Sequence, residues 1–148
     1  MNNWIDVYAL LPGLRGIVVH AVAAADEPRV RQVLTAVDFE LRVLEGARIV
    51  DETSFFEQIA QVFVLPDGFG DNWETFADTL CDLHGHIAVV WRDADRTFAG
   101  DAQVLLTALQ EFASAAEEPL FVPDAERKEL QLAIFLFGAG PGFHPLGA

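Results

Sequence analysis

Short apolar runs separated by stretches of helical period constrain this chain more than any other feature. Residues 16–22 (GIVVHAV) are β-branched and open on glycine, and residues 39–44 (FELRVL) alternate apolar with polar before Gly46. Residues 87–91 (IAVVW) and 130–137 (LQLAIFLF) are near-continuous apolar runs of strand length, the pattern of strands buried on both faces. Between them, helical spacing recurs. Asp26 and Pro28 open a stretch to residue 37 with Val30, Val33, Leu34 and Val37 in phase. Residues 51–63 carry Phe55, Ile59, Ala60 and Phe63 behind an Asp-Glu-Thr-Ser start, and residues 102–116 carry Val104, Leu105, Ala108, Leu109 and Phe112. A further helix is expected over 71–83. Strands alternating with helices predict an α/β fold with a small, mostly parallel sheet and right-handed crossovers. Residues 64–70, punctuated by Pro66, Gly68 and Gly70, read as a shaped loop. The first dozen residues and the segment 138–148 (GAGPGFHPLGA) are expected as mobile ends.

The 148 residues match the length of a single domain, and 52% apolar residues exclude an unfolded acidic polymer. Nine basic against 23 acidic residues leave a formal charge of −14, which argues against binding nucleic acid and for a basic partner. The sequence has no run of 18 apolar residues and no signal-peptide pattern, so neither membrane insertion nor export is expected and the location read from it is cytoplasmic. The single cysteine, Cys81, provides no internal disulfide and no thiolate metal site; its place beside an apolar helical face predicts a packed thiol.

No Lys or Arg lies between Arg48 and Arg92, yet Asp67, Asp71, Glu74, Asp78 and Asp82 do. At about 100° per residue, Asp71, Glu74, Asp78 and Asp82 share one narrow helical stripe, roughly opposite Trp73, Phe76, Ala77 and Leu80. Like charges four residues apart each cost a helix roughly 0.2–0.5 kcal/mol, and the helix dipole rewards only the acids of the first turn. The stripe is either a solvated face of an acidic protein or a docking surface whose repulsion a cationic partner relieves; local conflicts of this kind concentrate at functional sites.

The run LPDGFGDNWE at residues 65–74, continued by Thr75, Phe76, Ala77, Asp78, Thr79 and Leu80, resembles the loop and second helix of the barstar family, intracellular inhibitors of a secreted ribonuclease. Val89-Val90-Trp91-Arg92 is similar to that family's central strand, and Leu109-Gln110-Glu111 sits where its later helix carries an interface glutamate. The resemblance implies a three-stranded, mostly parallel sheet packed with helices over residues 39–137. Residues 1–38 would be an N-terminal β-α extension and 138–148 a flexible tail, all in one domain. It further implies a monomeric, non-enzymatic inhibitor or immunity protein of bacterial type. Such a protein blocks a basic ribonuclease or nuclease toxin one to one, laying acidic side chains where substrate phosphates would sit. Carried over residue by residue, Phe69, Gly70 and Asn72 match the loop and the residue after it, Asp78 matches the central aspartate and Glu74 another interface acid, here one methylene longer; Asp71 and Asp82 join the partner-binding set as members of the stripe. Glu111 matches a peripheral contact. Gly68 and Ala77 stand where the family has a tyrosine and a tryptophan at the interface, which leaves open a different cognate partner or an acidic scaffold for a non-nuclease basic protein.

Other features favour no chemistry. His84 and His86 have metal-ligand spacing but no third ligand in sight. The glycine-rich stretch at 138–142 has no following helix to cradle a phosphate. Glu74 and Asp78 as an acid–base pair would need a cleft and two unlike environments, which a solvated stripe does not offer. Trp73, Phe76, Phe55 and Phe112 are expected in the core. No cofactor is implied.

Overall fold

The computed structural model describes residues 4–63, 72–121 and 130–147. Its strands are β1 (Val19–Ala23), β2 (Glu40–Glu45), β3 (Gly85–Arg92) and β4 (Leu130–Gly138), joined in the order β1-β4-β3-β2. Each pairing is parallel; Val89, for example, lies opposite Arg42 on one side and Ile134 on the other, and Val19 lies opposite Ile134. The helices are α1 (Val7–Leu10), α2 (Glu27–Ala36), α3 (Glu52–Val62), α4 (Trp73–Cys81) and α5 (Ala94–Phe121). The three-stranded core expected from the resemblance thus carries a fourth strand in the same sheet, because β1 of the amino-terminal β-α extension pairs with β4.

Chain direction explains the layers. The step from β1 to β2 crosses the whole sheet one way, and the steps β2 to β3 to β4 return the other way. Right-handed crossovers in opposite directions lie on opposite faces. Accordingly, Ile87, Val89, Trp91, Leu132, Ile134 and Leu136 point into one core shared with α3, α4 and α5. Ala88, Val90, Ala133, Phe135 and Phe137 point into a second core with Val30 and Leu34 of α2 and Val7 and Leu11 of the amino-terminal segment. Residues before Phe39 therefore close a face that the rest of the chain leaves uncovered.

Both expected loose ends are tied down. Val7, Leu11 and Leu14 are buried, and the buried Gln131 side chain accepts a hydrogen bond from the Ile5 N–H (2.9 Å) while donating to the Ile5 carbonyl (2.8 Å). The tail expected to be flexible is pinned as well. The His144 N–H donates to Ala21 O (3.1 Å) and its carbonyl accepts from Ala23 N–H (3.2 Å), continuing the sheet beside β1. The Leu146 N–H donates to Asp26 Oδ2 (3.0 Å), and Gly147 bonds Pro12 O and the Arg29 guanidinium. Backbone groups along a strand edge take partners wherever the chain can reach them, and this tail can.

Helix ends follow local chemistry. Asp51 caps α3 by accepting from the Ser54 N–H (2.8 Å) while Ser54 Oγ accepts from the Asp51 N–H (3.1 Å); the Ser54 N–H, and after it the Ser54 hydroxyl (2.8 Å), donate to the Asp51 carboxyl and hold it below its usual range. After α2, Asp38 takes a left-handed conformation (φ 68°), with Asp38 N–H on Thr35 O and Phe39 N–H on Leu34 O, the two bonds of a Schellman ending. Helix α5 begins earlier than its periodicity predicts and breaks at Asp101 (φ −152°), whose Oδ1 accepts from the Val104 N–H (3.2 Å) and caps the stretch foreseen from residue 102. Its unforeseen first part places Thr97 to donate to the Gly46 carbonyl (2.8 Å) and to accept from Trp91 Nε1 (3.2 Å). A Cβ on Gly46 would sit 2.1 Å from Arg92 O, so only glycine fits this crossing.

Candidate functional site

Helix α4 begins with its cap. The Asn72 side chain accepts from the Thr75 N–H (2.8 Å), so the helix proper runs from Trp73, within the 71–83 that the spacing suggested. Phe76 and Leu80 are fully buried, and the Phe76 ring meets Phe112 of α5 edge-on at 5.2 Å. With that face committed to the core, helical geometry turns Glu74 and Asp78 outward, and both are exposed. Residues four apart on such a face stand about 6 Å apart along the axis. Asp82 follows as the C-cap, also exposed, at the end where backbone carbonyls already concentrate negative potential.

Among the described residues, Glu74, Asp78 and Asp82 make no ion pair, and no basic residue lies in the last turn of α4. Several arginines among the described residues are engaged elsewhere. Arg92, at the end of β3, places Nε 3.0 Å from Glu27 Oε2 and Nη1 3.1 Å from Glu45 Oε1. Hydrogen bonding and charge from Glu27, then Glu45, hold its guanidinium still more firmly protonated. Arg31 also pairs with Glu27 (3.0 Å), and Arg42 pairs with Glu40 (2.6 Å) while donating to the carbonyl of Val62 at the end of α3.

The remaining candidates fall as follows. Glu111 is half-buried on α5, one residue from the Phe112 ring that meets Phe76, so the structure brings its helix but not a hydrogen bond to the acidic face. Phe69, Gly70 and Asp71, with the expected loop at 64–70, lie outside the described residues. Phe55, Phe76 and Phe112 are buried as expected. Two readings need correction. Trp73 is only half-buried, because it opens the helix at the margin of the core, and Cys81 is exposed, because the last turn rotates it away from Leu80. Ala77 is half-buried.

His84 is exposed at the turn before β3, and the His86 ring meets Phe39 edge-on at 5.5 Å. Among the described residues, no three His, Cys, Asp or Glu side chains gather as a metal site, and no helix is long and apolar enough to cross a membrane. A contact that spacing could not reveal ties Trp73 Nε1 to Glu52 Oε2 at 3.0 Å, across 21 residues of sequence.

Chemically, the face offers acceptors only. Ionised carboxylates on a short capped helix suit guanidinium and ammonium donors, with the charge-assisted and often bidentate geometry that phosphate also adopts with arginine. Comparison with protein families returns a match to the one described as Barstar (barnase inhibitor), over residues 39–136. Comparison with curated proteins returns no match.

Proposed function

The chain belongs to the barstar family, and we propose that it is an inhibitor or immunity protein that blocks a basic ribonuclease or nuclease toxin in the cytoplasm, as a monomer in a one-to-one complex. Residues 39–137 act as the inhibitor core and residues 1–38 as the extension that closes the second sheet face, within one domain. Helix α4 and the loop before it face the nuclease's phosphate-binding cleft. Asp78 is the central contact, Glu74 and Asp82 flank it, Phe69, Gly70, Asp71 and Asn72 contribute to partner binding ahead of them, and Glu111 touches the rim. The protein is a binder and performs no catalysis.

One observation carries this reading: the α4 carboxylates are exposed on one face and unpaired among the described residues. A carboxylate can fill an arginine-lined phosphate site and, lacking a scissile phosphodiester, cannot be cleaved. The −14 charge speeds approach of a basic enzyme, an effect that salt screens over about 10 Å at 0.1 M.

The test is titration against a panel of small bacterial ribonucleases and toxin nuclease domains, scoring RNA and DNA cleavage at two salt concentrations. Stoichiometric inhibition with slower association at the higher salt is expected. Ala77 offers no large side chain beside the acids, which favours as second reading a non-nuclease basic partner. Failure to inhibit any nuclease, with recovery of a ribosomal or transport protein from the native lysate, would establish that reading instead.

A further inference from the structure

A helix of nine residues is less than three turns long, too short to hold its own direction, so its anchors decide where its side chains point. Phe76 and Leu80 anchor α4 by apolar burial, with the Phe76 ring edge-on to Phe55 (5.4 Å) and Phe112 (5.2 Å), contacts that resist lifting and coarse rotation but carry no hydrogen bond to a neighbouring helix. Trp73 adds something directional. Its ring stacks on Phe55 at 5.3 Å and 27° and meets Phe56 at 4.9 Å and 61°, while Nε1 donates to Glu52 at 3.0 Å. Glu52 is the first residue of α3, as Trp73 is of α4.

Roll matters to Glu74 and Asp78 because they project outward. A rotation of about 20° moves a carboxylate about 6 Å from the axis by roughly 2 Å, which takes a hydrogen bond out of range. We propose that Glu52 and Trp73 are positioning residues, a clamp between the first turns of α3 and α4 that sets the roll of α4 and so aims Glu74 and Asp78. The consequence for binding rests on the inhibitor reading; the clamp itself does not.

The full chain carrying E52Q, E52A or W73F separates the roles. Glutamine keeps an acceptor oxygen for the indole, alanine removes it, and phenylalanine keeps the ring without the N–H. With a nuclease found in the panel, E52A and W73F should each raise the dissociation rate about fivefold, E52Q should stay within about twofold, and the double variant E52A/W73F should add nothing further. E52Q and E52A should slow association equally, because both lose one negative charge. In the free chain, amide hydrogen exchange at residues 75–77 should quicken in E52A but not in E52Q. Equal dissociation rates for E52A and E52Q overturn the positioning role, even where exchange differs. If the wild-type chain inhibits no nuclease, the inhibitor reading fails, and the exchange comparison still decides the clamp: equal rates in E52A and E52Q overturn it. Should W73F fail to fold, the two Glu52 variants carry the test.

Discussion

At the carboxyl end of the sheet, Glu27 and Glu45 converge on Arg92, and Glu27 also holds Arg31. On α4, Glu74, Asp78 and Asp82 have no such partner among the described residues and face solvent. The first set ties the amino-terminal extension to the ends of β2 and β3, so its charges serve the architecture. The second set costs the helix local repulsion, and only Glu74, in the first turn, gains from the helix dipole. Acidity alone does not produce that contrast: a chain with nine basic residues has placed several of them where segments join and none between residues 48 and 92.

The largest expected effect lies on the bare side. Asp78→Ala should weaken nuclease binding by roughly 100-fold or more, because it strips one partner from charge pairs that the complex would bury, while the unfolding midpoint of the free chain barely moves. Inhibition titration and urea denaturation measure the two; a loss below threefold would break the contrast.

On the paired side, Arg92→Met should lower stability by about 1 kcal/mol and leave the association rate within twofold of wild type. The figure is kept small because the Arg92 and Glu45 side chains are 42% and 40% exposed and water screens them, although Glu27 is only 12% exposed. If Arg92→Met slowed association as much as an α4 variant does, the division between structural and docking charges would fail.

Acid should weaken the extension through His20. That ring lies between Tyr8 of α1 and Phe135 of β4, with Nδ1 on the Arg15 carbonyl (2.8 Å) and Nε2 buried without a partner among the described residues. The Arg15 side chain turns to the tail instead, with its guanidinium 3.2 Å from His144 Nδ1. Burial pulls the His20 pKa below its ordinary 6.5, outweighing the opposing hydrogen bond to Arg15. The unfolded chain therefore takes up a proton before the folded one does, so this contribution is complete above about pH 6.5 and declines as pH falls towards the lowered folded value. Urea midpoints between pH 7.5 and 5 should drop more in wild type than in His20→Phe; parallel slopes would remove His20 as the cause.

The smallest effect sharpens the comparison most. Asp82→Asn removes a negative charge from the carbonyl end of α4 and should stabilise the free chain by about 0.5 kcal/mol while slowing association with a basic partner. Opposite signs from one substitution mark a residue retained for docking at a cost to folding. Loss of stability instead would assign Asp82 an unseen structural partner.

Much of this architecture was legible in local pattern. The β-branched and continuous apolar runs mark all four strands to within a few residues, and the phase of Phe76 and Leu80 sends Glu74 and Asp78 outward. The misses share a cause. Helix α1 is a single turn following Ile5, whose backbone is held by Gln131, 126 residues away. The first part of α5 lacks an apolar stripe of its own, since Thr97 is buried by its bonds to Gly46 and Trp91. Residues 139–147 read as a loose, glycine-rich end until the edge of β1 offers them partners. For the candidate site, the stripe and its family motif are present in the sequence. The Trp73 contact with Glu52 and the exposure of Cys81 are not, because each depends on how α4 sits against its neighbours.

By itself, then, the sequence determined the alternation of strands and helices, the charge imbalance and the common face of the acids on α4, because periodicity and charge are properties of neighbouring residues. Only the tertiary structure decided that residues 4–38 complete the sheet and its second core, that Arg92 is held by Glu27 and Glu45, and that α4 keeps its carboxylates unpaired among the described residues. Burial and ion pairing depend on which distant segments meet, and that is settled by packing across the sheet.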